Sequence, residues 1–281
     1  MAMKGGRGPV EITMRRIEED EPEEDEPEDD ASLGAYALQF GDRQIAVTNA
    51  GYGDADVTEW IRGVQRVHRE RLRGGLCSAG AVDLVVGLCT FRRKPSLFFR
   101  KGTKKAAGAD NHPIAVMSLC SGGHCLVLPV EDDEHGRCSY QRHPFSHPLA
   151  AFLGGRRTRF VGIGIKAAAE RLERVWGVRL GDATELRPLV ARAFGRQAVP
   201  PLKGGGGDAD GLRKMAAVAL KGVDAGKKPA AIEFNDWGCA LYSRDEIMYA
   251  AVDAFLSCEI AEASFHEIAH RPPPHAKKDA V

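Results

Sequence analysis

Residues 234–260 read FNDWGCALYSRDEIMYAAVDAFLSCEI, and the fold turns on this stretch. Ser243 is followed three positions later by Glu246, the pattern of a capping box that opens a helix. Beyond it Ile247, Ala251, Ala254, Phe255 and Cys258 recur at helical spacing, which predicts a long helix over about 243–263. Tyr249 and Asp253 stand four positions apart on it. That is about one turn, so their side chains share one face.

Working outward, residues 36–40 and 44–48 are short β-prone runs around Gly41-Asp42 and read as a hairpin. Asp56 to Glu59 forms a second capping box, and Val57, Trp60, Ile61, Val64 and Val67 continue it as an amphipathic helix over 56–72. Residues 82–88 predict a buried strand. Residues 113–119 and 125–130 predict two more, joined by Ser121-Gly122-Gly123, and residues 160–165 a fourth. Leu186, Leu189, Val190, Ala193 and Phe194 mark one helix and residues 212–220 another. Strands early and helices late predict a mixed sheet with helices packed on it. Residues 101–111, 131–143 and 203–210 read as insertions or linkers.

Composition narrows the function classes. The chain has 281 residues, 43% hydrophobic and 28% charged, as in an ordinary globular protein. No apolar run approaches the ~20 residues that span a bilayer, so no membrane function is expected. Met1 to Val10 lacks the apolar core of a secretory signal. Seven cysteines, an odd number thinly spread, argue against a disulfide scaffold and for a reducing compartment. The formal net charge of zero hides an asymmetry. Residues 18–30, EEDEPEEDEPEDD, hold eleven acids and no base, while residues 31–281 carry a net of +8. Such a block cannot bury apolar area, so residues 1–34 are expected to form a disordered acidic tail. It is either a solubilising tail or a polyanion mimic shielding a basic surface. Residues 269–281 are expected to be a second tail, which leaves 35–268 as one domain.

Four segments carry a resemblance. They are VVGL at 85–88, HCLVLPV at 124–130, FVGIGIKAAAERLERVWGVRL at 160–180, and the stretch quoted first. In this order the chain resembles the plant Werner-syndrome-like 3′-5′ exonuclease domain, of the DEDD group, over roughly residues 36–265. The resemblance implies an α/β, ribonuclease-H-like fold, a mixed sheet flanked by helices. It also implies two-metal hydrolysis of a phosphodiester, with four carboxylates holding two Mg²⁺ or Mn²⁺ ions. Tyr249, four residues before the last aspartate, would help to place the attacking water.

Checked residue by residue, the implied ligand set is broken. Cys89 stands where the first motif has aspartate and Phe91 where it has glutamate. Ala168 stands where the second aspartate opens its helix. Tyr249 and Asp253 keep the third motif, so Asp253 is the sole surviving metal ligand. Neighbours do not repair the set. Asp83 lies six residues from Cys89 along a strand, about 20 Å away. Glu170 is about 200° round the helix from Ala168 and should face water. Cys89 is a soft ligand, ill matched to Mg²⁺. One aspartate does not hold two hydrated ions, so the sequence predicts a degenerate exonuclease with no cofactor. Mg²⁺ or Mn²⁺ would enter under the alternative, a weakly active enzyme.

Binding rests on other residues. Arg92, Arg93, Lys94, Arg100, Lys101, Lys104 and Lys105 supply seven bases without an acid, with Phe91, Phe98 and Phe99 interleaved. Arg156, Arg157 and Arg159 form a second cluster. Bases attract phosphates and aromatics stack on unpaired bases, so a single strand or a 3′ end is the expected partner, alongside an active family member or another protein. The alternative for the first cluster is a solvated basic insertion. Localisation to nucleus or cytoplasm follows from the resemblance. His266-Glu267-Ile268-Ala269-His270 matches the H-E-x-x-H zinc pattern, but Ala276 stands where a metzincin has its third histidine, so a helix C-terminus is the simpler reading. Cys120, His124 and Cys125 likewise read as hairpin residues and not as a zinc cluster.

Overall fold

The computed structural model describes residues 9–17, 33–51, 54–74, 83–92, 114–130, 145–201, 209–233, 235, 237 and 242–271. In chain order these form β1 (Ile12–Arg16), β2 (Gly34–Phe40), β3 (Arg43–Asn49), α1 (Asp54–Arg73), β4 (Leu84–Arg92), β5 (Ile114–Ser121), β6 (His124–Pro129) and α2 (His147–Leu153). Then follow β7 (Thr158–Gly162), α3 (Ile165–Trp176), β8 (Asp182–Glu185), α4 (Leu186–Phe194), α5 (Ala209–Ala219), α6 (Ala230–Glu233) and α7 (Arg244–His270).

The strands make one eight-stranded sheet in the order β1-β2-β3-β6-β5-β4-β7-β8. The pairs β1–β2–β3 and β6–β5–β4 are antiparallel, whereas β3–β6 and β4–β7–β8 are parallel. Successive side chains on a strand point to opposite faces. On β5, Val116 and Cys120 enter the core beneath α4, α5 and α7. Met117 and Leu119 enter the core shared with α1, α2 and α3. The fold is therefore α/β, a mixed sheet flanked on both faces by helices, as the resemblance implied. Among the described residues no helix is long and apolar enough to cross a membrane.

Three elements depart from the sequence expectation. The first is β1, inside the stretch expected to be tail. Its apolar residues alternate, with Met14 buried and Ile12 packed against the core, and it pairs with β2 from Ile12↔Phe40 to Arg16↔Tyr36. Val10 N–H also donates to the Asp224 carbonyl. The expected tail of residues 1–34 is thus interrupted by a strand, and the acidic run lies in sequence between two paired neighbours. Charge counting does not detect a five-residue strand. The second is β8, DATE, which has no apolar alternation and finds its place as the edge partner of β7. The third is α2, opened by Ser146, whose hydroxyl accepts from Leu149 N–H, with a proline in its first turn. The acidic run itself, the three expected linkers up to residue 208 and the C-terminal stretch from residue 272 lie outside the described residues.

The helix of residues 243–263 extends further than expected, to His270, and its capping box is formed in both directions. It lies directly on β4. A Cβ on Gly87 would stand 2.0 Å from the Ala254 carbonyl oxygen and 2.7 Å from the Cys258 nitrogen. Only a glycine permits this approach, which brings β4 close to the helix that carries Asp253. The cysteines of the β5–β6 hairpin face each other as register partners, Cys120↔Cys125, and are joined by a disulfide with both residues fully buried. Among the described residues this is one bridge, local to the hairpin.

Candidate functional site

β4 continues past Gly87 to Arg92, so Cys89 and Phe91 lie on the strand and, by its period of two, on the face that meets α7. Asp253 projects from α7 into the same place. Ala168 is buried in the first turn of α3, which follows β7, the parallel neighbour of β4. Cys89, Phe91 and Asp253 thus gather at the carboxyl end of β4, and Ala168 lies toward the same end of the sheet. Glu170 is exposed, as its helical angle requires. Asp83 sits before the other end of the strand and pairs with Arg159.

What surrounds Asp253 was not foreseen. Lys228 Nζ donates to its Oδ2 at 2.8 Å. Arg213 lies 3.3 Å from its Oδ1. All three side chains are inside the protein, Lys228 4%, Arg213 6% and Asp253 8% exposed, so these are ion pairs of the interior. Arg213 comes from α5, whose Leu212, Met215, Ala216 and Ala219 are core residues. Lys228 comes from the segment between α5 and α6. There Lys221 and glycines 222 and 226 adopt positive φ, and Gly226 N–H donates to the Asp224 carboxylate. The turn reverses the chain, and Pro229 after Lys228 favours an extended backbone that carries the ammonium inward.

Aromatic rings enclose the cations. The Lys228 ammonium lies 4.8 Å from the centre of the Phe91 ring and 5.9 Å from that of Trp237. Phe91 and Trp237 are themselves packed, with ring centres 4.3 Å apart. Tyr242 supports them, its hydroxyl donating to the Trp237 carbonyl. The Arg213 guanidinium lies 6.0 Å from the centre of the Tyr249 ring. Burial pushes the Tyr249 phenol above its usual range, partly offset by Arg213 and reinforced by Asp245 and Asp253.

Cys89 remains a thiol. Burial, aided by the negative charge of Asp253, pushes it up to about 12, against a weaker pull downward from Ser257, Lys228 and Arg213. Ser257 donates its hydroxyl proton to the Asp253 carbonyl, so across the 3.6 Å contact Cys89 is the donor and Ser257 Oγ the acceptor. The Cys89 sulfur is a soft ligand, ill matched to Mg²⁺. Among the described residues no group of three His, Cys, Asp or Glu side chains could hold a metal ion. The one carboxylate of the implied set already carries two cations. The residues present therefore do not fit a pair of divalent ions, and no hydrolytic step is derived through them.

The two basic clusters part company. Arg92 ends β4, at the Asp253 end of the sheet. Arg93, Lys94, Arg100 and Lys101 lie outside the described residues. Arg156 and Arg157 are exposed just before β7, which runs parallel to β4, so they lie at the opposite end. Arg159 there is held by Asp83 and Asp182 and covers the Phe265 ring. His266 and His270 stack with ring centres 4.1 Å apart in the last turns of α7, at the helix end. Both missed cations carried faint signals at most. Arg213 is a base within an apolar helical stripe. Lys228 is indistinguishable in sequence from Lys227.

No protein family's sequence profile matches the chain, and no curated protein matches it in sequence. Among solved structures the chain is similar to Escherichia coli RNase D, an exoribonuclease involved in structured RNA processing. The identity there is 14% and the TM-score 0.48, over 79% of this chain and 45% of that one. It is also similar to Brucella melitensis NrnC bound to pGG, at 14% identity and TM-score 0.46, over 66% of this chain and 74% of that one. A third is the EXD2 exonuclease domain soaked in Mn, at 16% identity and TM-score 0.35, over 76% and 86% of the two chains. At these identities and scores the likenesses say nothing of what this chain binds or cleaves.

Proposed function

We propose that the chain is a degenerate member of the plant Werner-like 3′-5′ exonuclease domains, silent in hydrolysis and acting by binding nucleic acid. The observation that carries this reading is the occupation of Asp253 by Lys228 and Arg213 inside the core. Two-metal hydrolysis requires anionic oxygens free to receive the ions. Here three of the four positions have no carboxylate and the fourth is neutralised. Binding rests on the basic run of the sequence whose first residue, Arg92, ends β4. Bases arranged in this way hold phosphates irrespective of sequence, and nucleus or cytoplasm would supply such a partner.

Two assays test the reading. Labelled single-stranded and recessed-end substrates incubated with Mn²⁺ should stay full length. Metal-dependent shortening that vanishes in Asp253→Ala would establish the enzyme instead. A gel shift should appear with single-stranded nucleic acid at low salt and fade as salt rises. No shift at low salt would remove nucleic acid as the partner and leave protein binding.

A further inference from the structure

We propose that Lys228 and Arg213 are resident cations that replace the divalent ions of this fold. They make the structure independent of metal and close the site to it. The inference deepens the reading above and rests on Asp253 being the survivor of a ligand set. Its geometric core is that each carboxylate oxygen has its own cation, Oδ2 with the ammonium and Oδ1 with the guanidinium. Ring faces add to the carboxylate's hold on the two cations. They are Phe91 and Trp237 for Lys228, and Tyr249 for Arg213. The negative face of a ring attracts an ammonium stripped of water.

Phe91 thus has a part in the arrangement. A benzyl group where a ligand carboxylate would stand is useless to a hydrated ion and well suited to a lysine. The loss of a carboxylate at position 91 and the presence of Lys228 fit together as one exchange. A consequence follows for any attempt to revive the site. The Phe91 ring already lies 4.8 Å from the Lys228 ammonium. A carboxylate placed there would strengthen the hold on the ammonium, not loosen it. Restoring carboxylates alone therefore leaves the cation in place.

The test compares three full-length proteins: the wild type, Cys89→Asp/Phe91→Glu/Ala168→Asp, and that triple variant with Lys228→Met and Arg213→Met added. Each is unfolded thermally in EDTA and in millimolar Mn²⁺, with Mn²⁺ binding followed by calorimetry. The acidic run is common to all three, so its contribution cancels. The wild type and the triple variant should show the same small response. The five-fold variant should gain roughly 5 °C or more in Mn²⁺. A triple variant that gains as much with Lys228 in place would overturn the inference while leaving the ligand assignment standing. If neither variant responds, positions 89, 91 and 168 are not ligand positions and the replacement claim falls. The first of these results leaves the proposed silence of the wild type standing, the second removes its ligand argument, and the substrate and gel-shift assays read silence and binding separately. A cycle that needs no restored site guards against misfolded variants. Asp253→Asn should lower Tm by confining two cations without their shared carboxylate, and adding Lys228→Met should return part of the loss. Strictly additive losses would overturn the inference.

Discussion

The two ends of β4 use the same chemistry under different conditions. At the carboxyl end, Arg213 and Lys228 meet Asp253 in the interior, each side chain under a tenth exposed. At the amino end, α1 and α7 flank an open cleft of about 460 Å³ beside the β5–β6 turn. There Arg71 meets Glu262 at 3.0 Å with both side chains more than a third exposed, and Arg43 pairs with Glu259. Water decides what each pair is worth. An exposed pair exchanges one solvated state for another, whereas an interior pair cannot lose one member without stranding the other. The first end is therefore fixed and the second adjustable, although the residues involved are the same types.

A matched pair of substitutions separates the ends most sharply. Asp253→Asn should cost about 3–5 kcal/mol in urea unfolding, the scale for breaking an interior ion pair. Glu262→Gln should cost about 0–1 kcal/mol. Equal losses would erase the distinction. Gly87→Ala comes next. Its Cβ would meet backbone of α7 and not a flexible side chain, so a loss of about 1–3 kcal/mol or more is expected, with the site distorted as well.

The cleft also has a pH signature. Partial burial, reinforced by Glu259, raises the Glu262 carboxyl above its ordinary value, against the pull of Arg71. The folded state then holds the proton more tightly than the unfolded chain. Glu262 thus favours the fold below the ordinary carboxylate range, and that contribution is lost as pH rises through the folded value. Glu262→Gln should flatten this part of the stability profile, and an unchanged profile would refute the assignment. The smallest effect concerns Cys89. With its thiol pushed up to about 12, the thiolate fraction at pH 8 is on the order of one in ten thousand. Peptide mapping after iodoacetamide should find Cys89 unmodified in the folded protein and modified after denaturation. Rapid labelling of the native state would place the thiol in water.

Much of this was legible in the sequence. The helix carrying Asp253 announced itself through Ser243, Glu246 and its apolar stripe, and the structure formed both halves of the cap. The hairpin of β5 and β6 followed from Ser121-Gly122-Gly123. The resemblance singled out positions 89, 91 and 168, and the structure sets the first two on β4 and the third in the first turn of α3. What escaped was tertiary. Lys228 lies 25 positions from its partner and shares a dipeptide with another lysine, so nothing local marks it as interior. Arg213 could have been suspected from its place among Leu212, Met215 and Ala216, but a long basic side chain at such a position usually reaches water. β1 was masked by its acidic neighbour in sequence, and β8 by a composition with no β pattern.

The central claim is that Asp253 carries protein cations where a nuclease would carry metal. An anomalous difference map from a wild-type crystal soaked in manganese reads this directly. The account predicts no peak beside Asp253 and the Lys228 ammonium still against its carboxylate. A pair of manganese peaks at that carboxylate, with Lys228 displaced, would contradict it.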